Sequence, residues 1–377
     1  MTRAFTPGLE LARQFYTEVV APLLDSGMDG IPYSVGLLGW GSDVQGFDTE
    51  RSMDHAWGPR LQVFLAGDHF NAHAASLDAV LDRELPAEFR GSRVRFVFPH
   101  GTPSHHWVHI LPLDEYFTQK LAADASGDLS AAEWLMVPTQ MLRELTGGEV
   151  FHDGTGLLED YRKRLNWYPD DVWRYILACQ WMRLCDEEAF VGRCGEVGDE
   201  VGSAVVAARQ VRDLMKLCLL MDRVYPPYSK WLGTAFAALP CADELTPHLT
   251  DALSARTWQD RERHLSAAYE LAAALHNALA LTEPLDTTVR DYYGRPFQVI
   301  GADRFANALL ATITDPVLRQ LPPVGAIDQY VDNTNLLDHN YVARRTSYIS
   351  PIMGQQIQQG GEVVSRSSKG SDVGVGT

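Results

Sequence analysis

Leu38-Gly39-Trp40-Gly41-Ser42-Asp43-Val44-Gln45-Gly46-Phe47-Asp48-Thr49-Glu50-Arg51-Ser52-Met53-Asp54-His55-Ala56-Trp57-Gly58-Pro59-Arg60 is the stretch on which the reading of the chain turns. An apolar run from Tyr33 to Trp40 is closed by Gly41-Ser42, and a second run, Arg60 to Leu65, follows a polar loop, so both read as strands. Eleven residues separate Ser42 from Asp54. Taken alone, Gly41-Ser42 is a turn after a strand, and Asp43 is placed to cap a helix that follows it.

Outward from this stretch, Arg93 to Phe98 and Trp107 to Leu113 read as two further strands, parted by the loop Pro99-His100-Gly101-Thr102-Pro103-Ser104. Helices are expected over Leu9 to Leu24 and Asn71 to Leu85. Residues 1–125 therefore form a mixed α/β domain. Beyond Asp128 the period changes: Val172, Trp173, Ile176, Leu177, Gln180, Trp181 and Leu184 recur at three-and-four spacing. Val211, Leu214, Met215, Cys218 and Met221 repeat the pattern, as do Leu265, Tyr269, Ala272, Leu275, His276 and Leu279. Strand signals nearly vanish, and 126–353 is expected to be a helical bundle. From Gln355 the chain is rich in Gln, Gly, Ser and Val without periodicity, so 354–377 is expected to be a flexible tail. The fold class is thus α+β, and no internal repeat is seen.

Composition narrows the partners. The 377 residues carry 32 Lys and Arg against 49 Asp and Glu, a formal net charge of −17. Polynucleotide affinity comes largely from cations that displace counterions, so no nucleic-acid polymer is expected as partner. Small phosphorylated ligands need only a few local cations. Five cysteines without a CxxC pair argue against a zinc ribbon or a disulfide framework and fit a reducing cytoplasm. Neither a signal peptide nor a membrane span is expected, and oligomeric state is left open.

The quoted stretch resembles the signature of the nucleotidyltransferase superfamily, hydrophobic-Gly-Ser followed after a similar gap by Asp-x-Asp. With Asp54-His55-x-Trp57-Gly58-Pro59-Arg60, Gly148 to Asp153, Tyr168 to Trp173, Gly192 to Glu200 and Tyr228 to Gly233, the chain resembles the nucleotidyltransferase-like domain-of-unknown-function family 4037 over most of residues 10 to 350. The resemblance implies a nucleotidyltransferase-like domain followed by helices. It implies that Gly41 and Ser42 hold a triphosphate, that Asp54 holds Mg²⁺, and that the metal activates an attacking hydroxyl. Two positions depart from the pattern: Ala56 stands where the second carboxylate is expected, and His109 where a strand would carry the third. The remaining metal options are Asp54 with His109 or Asp43, a metal-free pocket, or changed chemistry.

Other candidates each carry a plainer reading. His100, His105, His106 and His109 are dense enough to suggest a metal. His105 and His109, however, would stand about 13 Å apart along a continuous strand, too far for one ion, so ordinary surface or pocket histidines are expected. Arg209, Arg212 and Lys216 share a helix face. Either the face is solvated or ion-paired, or it lines a cleft opposite Gly41-Ser42 with Asp199 or Glu200 as general base toward an acceptor. Lys230, in Tyr225-Pro226-Pro227-Tyr228-Ser229-Lys230-Trp231, is placed to meet a phosphate or to snorkel past Trp231. Arg60 has a similar claim on phosphate through its planar fork.

These readings combine into one expected reaction, transfer of a nucleoside monophosphate from a nucleoside triphosphate such as ATP to a hydroxyl of a small molecule. Ala56 and His109 keep two alternatives open. One is a catalytically degenerate protein that binds a nucleotide or metabolite, and the other is a biosynthetic enzyme that reuses the inherited cleft.

Overall fold

The computed structural model describes residues 5–28, 30–54, 57–96 and 105–337, without the side chains of Asp54 and Asn335. His55, Ala56, the 99–104 loop with His100, and the 354–377 tail lie outside these residues.

Helices α1 (Gly8–Phe15) and α2 (Ala21–Gly27) flank a π-helical turn at Tyr16–Val20, and strand β1 (Ser34–Leu37) follows. Next come β2 (Leu61–Leu65), α3 (Gly67–Glu84) and the two-residue strands β3 (Glu88–Phe89), β4 (Ser92–Arg93), β5 (Arg95–Phe96) and β6 (His105–His106). Strand β7 (Val108–Pro112) leads through α4 (Leu113–Leu121), α5 (Ala131–Met136) and α6 (Thr139–Thr146) to β8 (Glu149–Asp153). The four longer strands form one sheet in the order β7-β2-β1-β8, with β2 and β7 parallel and the other pairs antiparallel.

Alternation along β2 explains how this sheet is used. Leu61, Val63 and Leu65 pack with Leu11, Phe15, Leu77 and Leu81 of α1 and α3, while Phe64 joins Leu38 in the core shared with the helical half. Arg13 of α1 pairs with Glu149 and so fastens that helix to β8. The fourth strand revises the expected boundary. Glu149–Asp153 pairs with β1 and belongs to the sheet, although it lies beyond residue 125 and within the segment expected to be only helical.

The remaining helices are α7 (Leu157–Leu165), α8 (Asp170–Glu187), α9 (Phe190–Glu196), α10 (Glu200–Met221), α11 (Leu232–Ala237), α12 (Ala242–Ser254) and α13 (Trp258–Ala278). A hairpin of β9 (Arg290–Tyr292) and β10 (Arg295–Val299) follows, in a segment where strand signals nearly vanish from the sequence, and then α14 (Asp303–Thr312). Helix α8 is buried nearly all round, between α10 and α14. Its Trp181 is fully buried, stacks on Phe305 with ring centroids 4.5 Å apart, and donates its indole N–H to His276 Nδ1 at 3.2 Å. Truncating such a side chain costs about 3–5 kcal/mol, so Trp181 is a main anchor of this half. No described helix is long and apolar enough to cross a membrane.

Candidate ligand site at the junction of sheet and helices

The chain leaves β1 through Leu38, whose backbone N–H and carbonyl are taken by the Gln62 side-chain amide at 2.9 and 3.1 Å. That amide continues the β1–β2 ladder for one more step and ends it. Gly39 donates its N–H to the Glu144 carbonyl on α6, and two further turns follow, closed by Gln45 N–H on Gly41 O and Phe47 N–H on Ser42 O. These turns form no α-helix, so Asp43 caps none. Instead Asp43 is buried against Arg60, which donates Nε to Oδ2 at 3.3 Å and Nη2 to Oδ1. The two side chains are 2% and 4% exposed, which makes this a fully desolvated pair that stands only because each partner is present.

Gly41 owes its identity to that pair. It sits at φ +132°, and a Cβ there would fall 2.1 Å from Arg60 Nη2. The close approach that the sequence assigns to a triphosphate is made here by a guanidinium. Arg60 also lies 4.6 Å from the ring of Trp40, which meets Trp107 edge-on at 6.0 Å.

Cross-strand register sets the chemistry of the sheet face. Gly36, Gln62 and His109 form one row across β1, β2 and β7, and Arg60 stands two residues before Gln62. Desolvation, followed by the charges of His106, His105 and Arg60, holds the His109 pKa below its usual value. The row therefore offers a guanidinium, an amide and a neutral imidazole. Mg²⁺ prefers several oxygen ligands, chiefly carboxylates. Asp43, the described carboxylate expected to bind it, is committed to Arg60, so among the described residues this face does not fit a two-metal centre. Asp54 ends a 3₁₀ turn at Glu50–Asp54, several residues before β2.

The helical side is built from α6 and the turn before α11. Arg143 donates to the Gln45 side chain at 2.7 Å and to the Tyr225 carbonyl at 3.1 Å, and lies 5.4 Å from the Phe47 ring. It clamps the Gly41–Phe47 turns to the Tyr225-Pro226-Pro227 turn. Gln140 donates to Glu144 Oε1 at 3.0 Å and accepts from Tyr228 N–H at 3.2 Å. Glu144 is buried, with Lys120 Nζ at 3.9 Å. Beside them, burial and the charge of Glu144 raise the Tyr116 hydroxyl well above its usual pKa, against the opposing charge of Arg60. Trp231 faces Phe47 at 5.8 Å, and exposed Lys230 lies over the Trp231 ring at 5.0 Å. Sequence reasoning missed Gln140, Arg143 and Glu144. Their signal was three polar residues at i, i+3 and i+4 on a short helix whose Met141, Leu142 and Leu145 are apolar.

Other expected site residues lie elsewhere. Asp199 is the N-cap of α10, accepting from Gly202 N–H at 2.7 Å, and Glu200 pairs with Arg261. The junction meets the opposite part of that helix, where Lys216 and Arg212 line a groove with Gln140 and Tyr228. Sixteen residues of helix, about 24 Å, separate Glu200 from Lys216, so neither acid is brought to Gly41-Ser42. The expected cationic face is an ion-paired one. Arg209 bonds Glu187 at 2.7 and 2.8 Å, Arg212 bonds Asp332 at 3.1 Å, and Lys216 donates to the Asp328 carbonyl at 3.3 Å.

No curated protein matches the chain. A crystal structure of a nucleotidyltransferase-like protein from Exiguobacterium sibiricum 255-15 is similar at 13% identity, over 72% of this chain and 77% of that one, with a TM-score of 0.32. A likeness of that size carries no argument about the site. The family model described as "Domain of unknown function (DUF4037)" matches residues 134–232, from α5 to the start of α11. That segment includes Gln140, Arg143, Glu144, β8 and the Tyr225–Trp231 turn, and it stops short of the Gly41–Arg60 stretch. The helical wall of the junction is thus the part of the chain that matches this family model.

Proposed function

We propose that the junction binds a small anionic ligand with a planar ring, a nucleoside triphosphate such as ATP or a related metabolite, without metal-dependent nucleotidyl transfer. The buried Asp43–Arg60 pair, on a sheet face otherwise presenting Gln62 and His109, carries this reading. In the transfer reaction a hydroxyl attacks the α-phosphorus and pyrophosphate leaves, and a Mg²⁺ held by carboxylates would offset the phosphate charge. Here the fixed cation at the loop is Arg60. Trp40, Phe47 and Trp231 supply ring faces for a base, while Lys230 and the Ser42 loop supply groups suited to phosphate. The net charge of −17 favours a small ligand over a polymer. The competing reading keeps transfer, with Asp54 holding Mg²⁺ and the acceptor unidentified.

Calorimetric titration with ATP, with and without Mg²⁺, combined with a pyrophosphate assay, separates the two. The expected result is binding whose Kd changes by no more than about twofold with Mg²⁺, and no pyrophosphate release. Lys230→Met is expected to weaken ATP more than adenosine, because the ammonium meets phosphate and not the base. Mg²⁺-dependent binding with pyrophosphate release overturns the proposal in favour of transfer. No binding of ATP under either condition removes both readings.

A further inference from the structure

We propose that Asp78, His105 and His106 form a three-ligand site for Zn²⁺ at the β7 edge of the sheet, independent of the junction and of any function assigned to it. Parity along a strand separates His105 from His109, but it does not govern His105 and His106, which make up the whole of β6. Their rings lie 4.2 Å apart, centroid to centroid, and both face Asp78 on α3.

The distances suit one ion. His105 Nε2 stands 3.5 Å from Asp78 Oδ2, His106 Nε2 stands 3.4 Å from Asp78 Oδ1, and one ligand atom from each residue lies within 4.8 Å of the others. Zinc bonds of about 2.0–2.1 Å in a tetrahedron give ligand-to-ligand edges of roughly 3.3 Å, so side-chain movements of up to about 1.5 Å close the site. Asp82, one turn further along α3, is held by Arg95 and adds no fourth ligand. Water completes the coordination.

Hydrogen-bond geometry also favours a metal. His105 Nδ1 lies 2.8 Å from the His106 carbonyl, where it donates its proton and leaves the Nε2 lone pair free to ligate. His106 is fully buried, and its Nε2 makes no well-aligned hydrogen bond, with only the Asp78 carboxylate 3.4 Å away. Ligation through Nε2 moves the ring proton to Nδ1, which then turns from the 3.3 Å Val108 N–H contact that it now accepts, a cost set against the metal–nitrogen bond. Bound zinc would tie α3 to β6 immediately before the strand that carries His109.

The untagged full-length protein, stripped with chelator, is titrated with Zn²⁺ by calorimetry and with Co²⁺ by visible absorption. Asp78→Asn and His105→Gln serve as test variants, since both side chains are partly exposed and circular dichroism verifies their folding. One Zn²⁺ per chain is expected, with four-coordinate Co²⁺ bands, and each variant should bind about tenfold more weakly or worse. No Zn²⁺ binding tighter than about 100 µM overturns the proposal. Equal binding by the wild type and both folded variants overturns it as well, because the ion would then sit on other histidines.

Discussion

Asp43–Arg60 and Glu200–Arg261 are the same chemical contact in two settings. The first is closed on both sides, at 2% and 4% exposure, while in the second the carboxylate is 42% exposed and only the arginine is buried. Both acids belong to motifs that point toward catalysis, yet the sheet loop lies at the junction and the α10 N-terminus lies far along the helix from it. The lesson is one of setting. A desolvated pair holds a loop in shape from both sides, whereas a pair at a helix start with one half-exposed member is screened on that side and contributes less.

The comparison breaks most sharply at Asp43. Asp43→Ala leaves Arg60 charged and buried without its carboxylate, and a loss of about 3–5 kcal/mol is expected, against about 1–2 kcal/mol for Glu200→Ala, which leaves the buried Arg261 guanidinium its bond to Ser203 Oγ. Urea unfolding of the two variants measures the gap. Equal losses would mean that burial does not separate the pairs. Gly41→Ala comes next, at roughly 3 kcal/mol, because the new methyl group meets Arg60 Nη2 in a backbone region that L-residues rarely adopt. An unperturbed melting temperature would show that Arg60 can leave the loop freely.

A third test sets the helical core against the junction. Burial lowers the His276 pKa to about 4, and the neutral ring accepts from Trp181. The unfolded chain therefore binds more protons than the folded one between the two pKa values. Stability is full above the ordinary imidazole pKa of about 6.5 and is lost as pH falls toward 4. Between pH 7 and 5 this group costs roughly 2 kcal/mol, and His276→Gln should flatten that part of the stability curve. A variant curve parallel to the wild type would remove His276 as the acid-sensitive group. The smallest effect is expected at the α10 cap, where Asp199→Ala should cost about 1 kcal/mol and leave ligand affinity at the junction unchanged. A large affinity loss would return the cap to the site.

Much of the helical half was legible because its period is strong, as the apolar positions of α8, α10 and α13 show. The fourth strand was not. Glu149, His152 and Asp153 give β8 the composition of a loop, and at a half-buried sheet edge only pairing with β1 makes it a strand. In the site, Gly41 and Arg60 were both legible as special, but their meeting was not, because close approach across a polar loop leaves no period to read. The same limit hid the His105–His106–Asp78 cluster, which depends on a two-residue strand packing against a helix.

The most direct test of the junction account is diffraction from crystals soaked with ATP and Mn²⁺, whose anomalous signal locates the metal. The account predicts nucleotide between the Gly41-Ser42 loop and Trp231, Arg60 still paired with Asp43, and no manganese peak within about 3 Å of Asp43 or Asp54. A manganese ion bridging the phosphates to either aspartate, with Arg60 displaced, would contradict it.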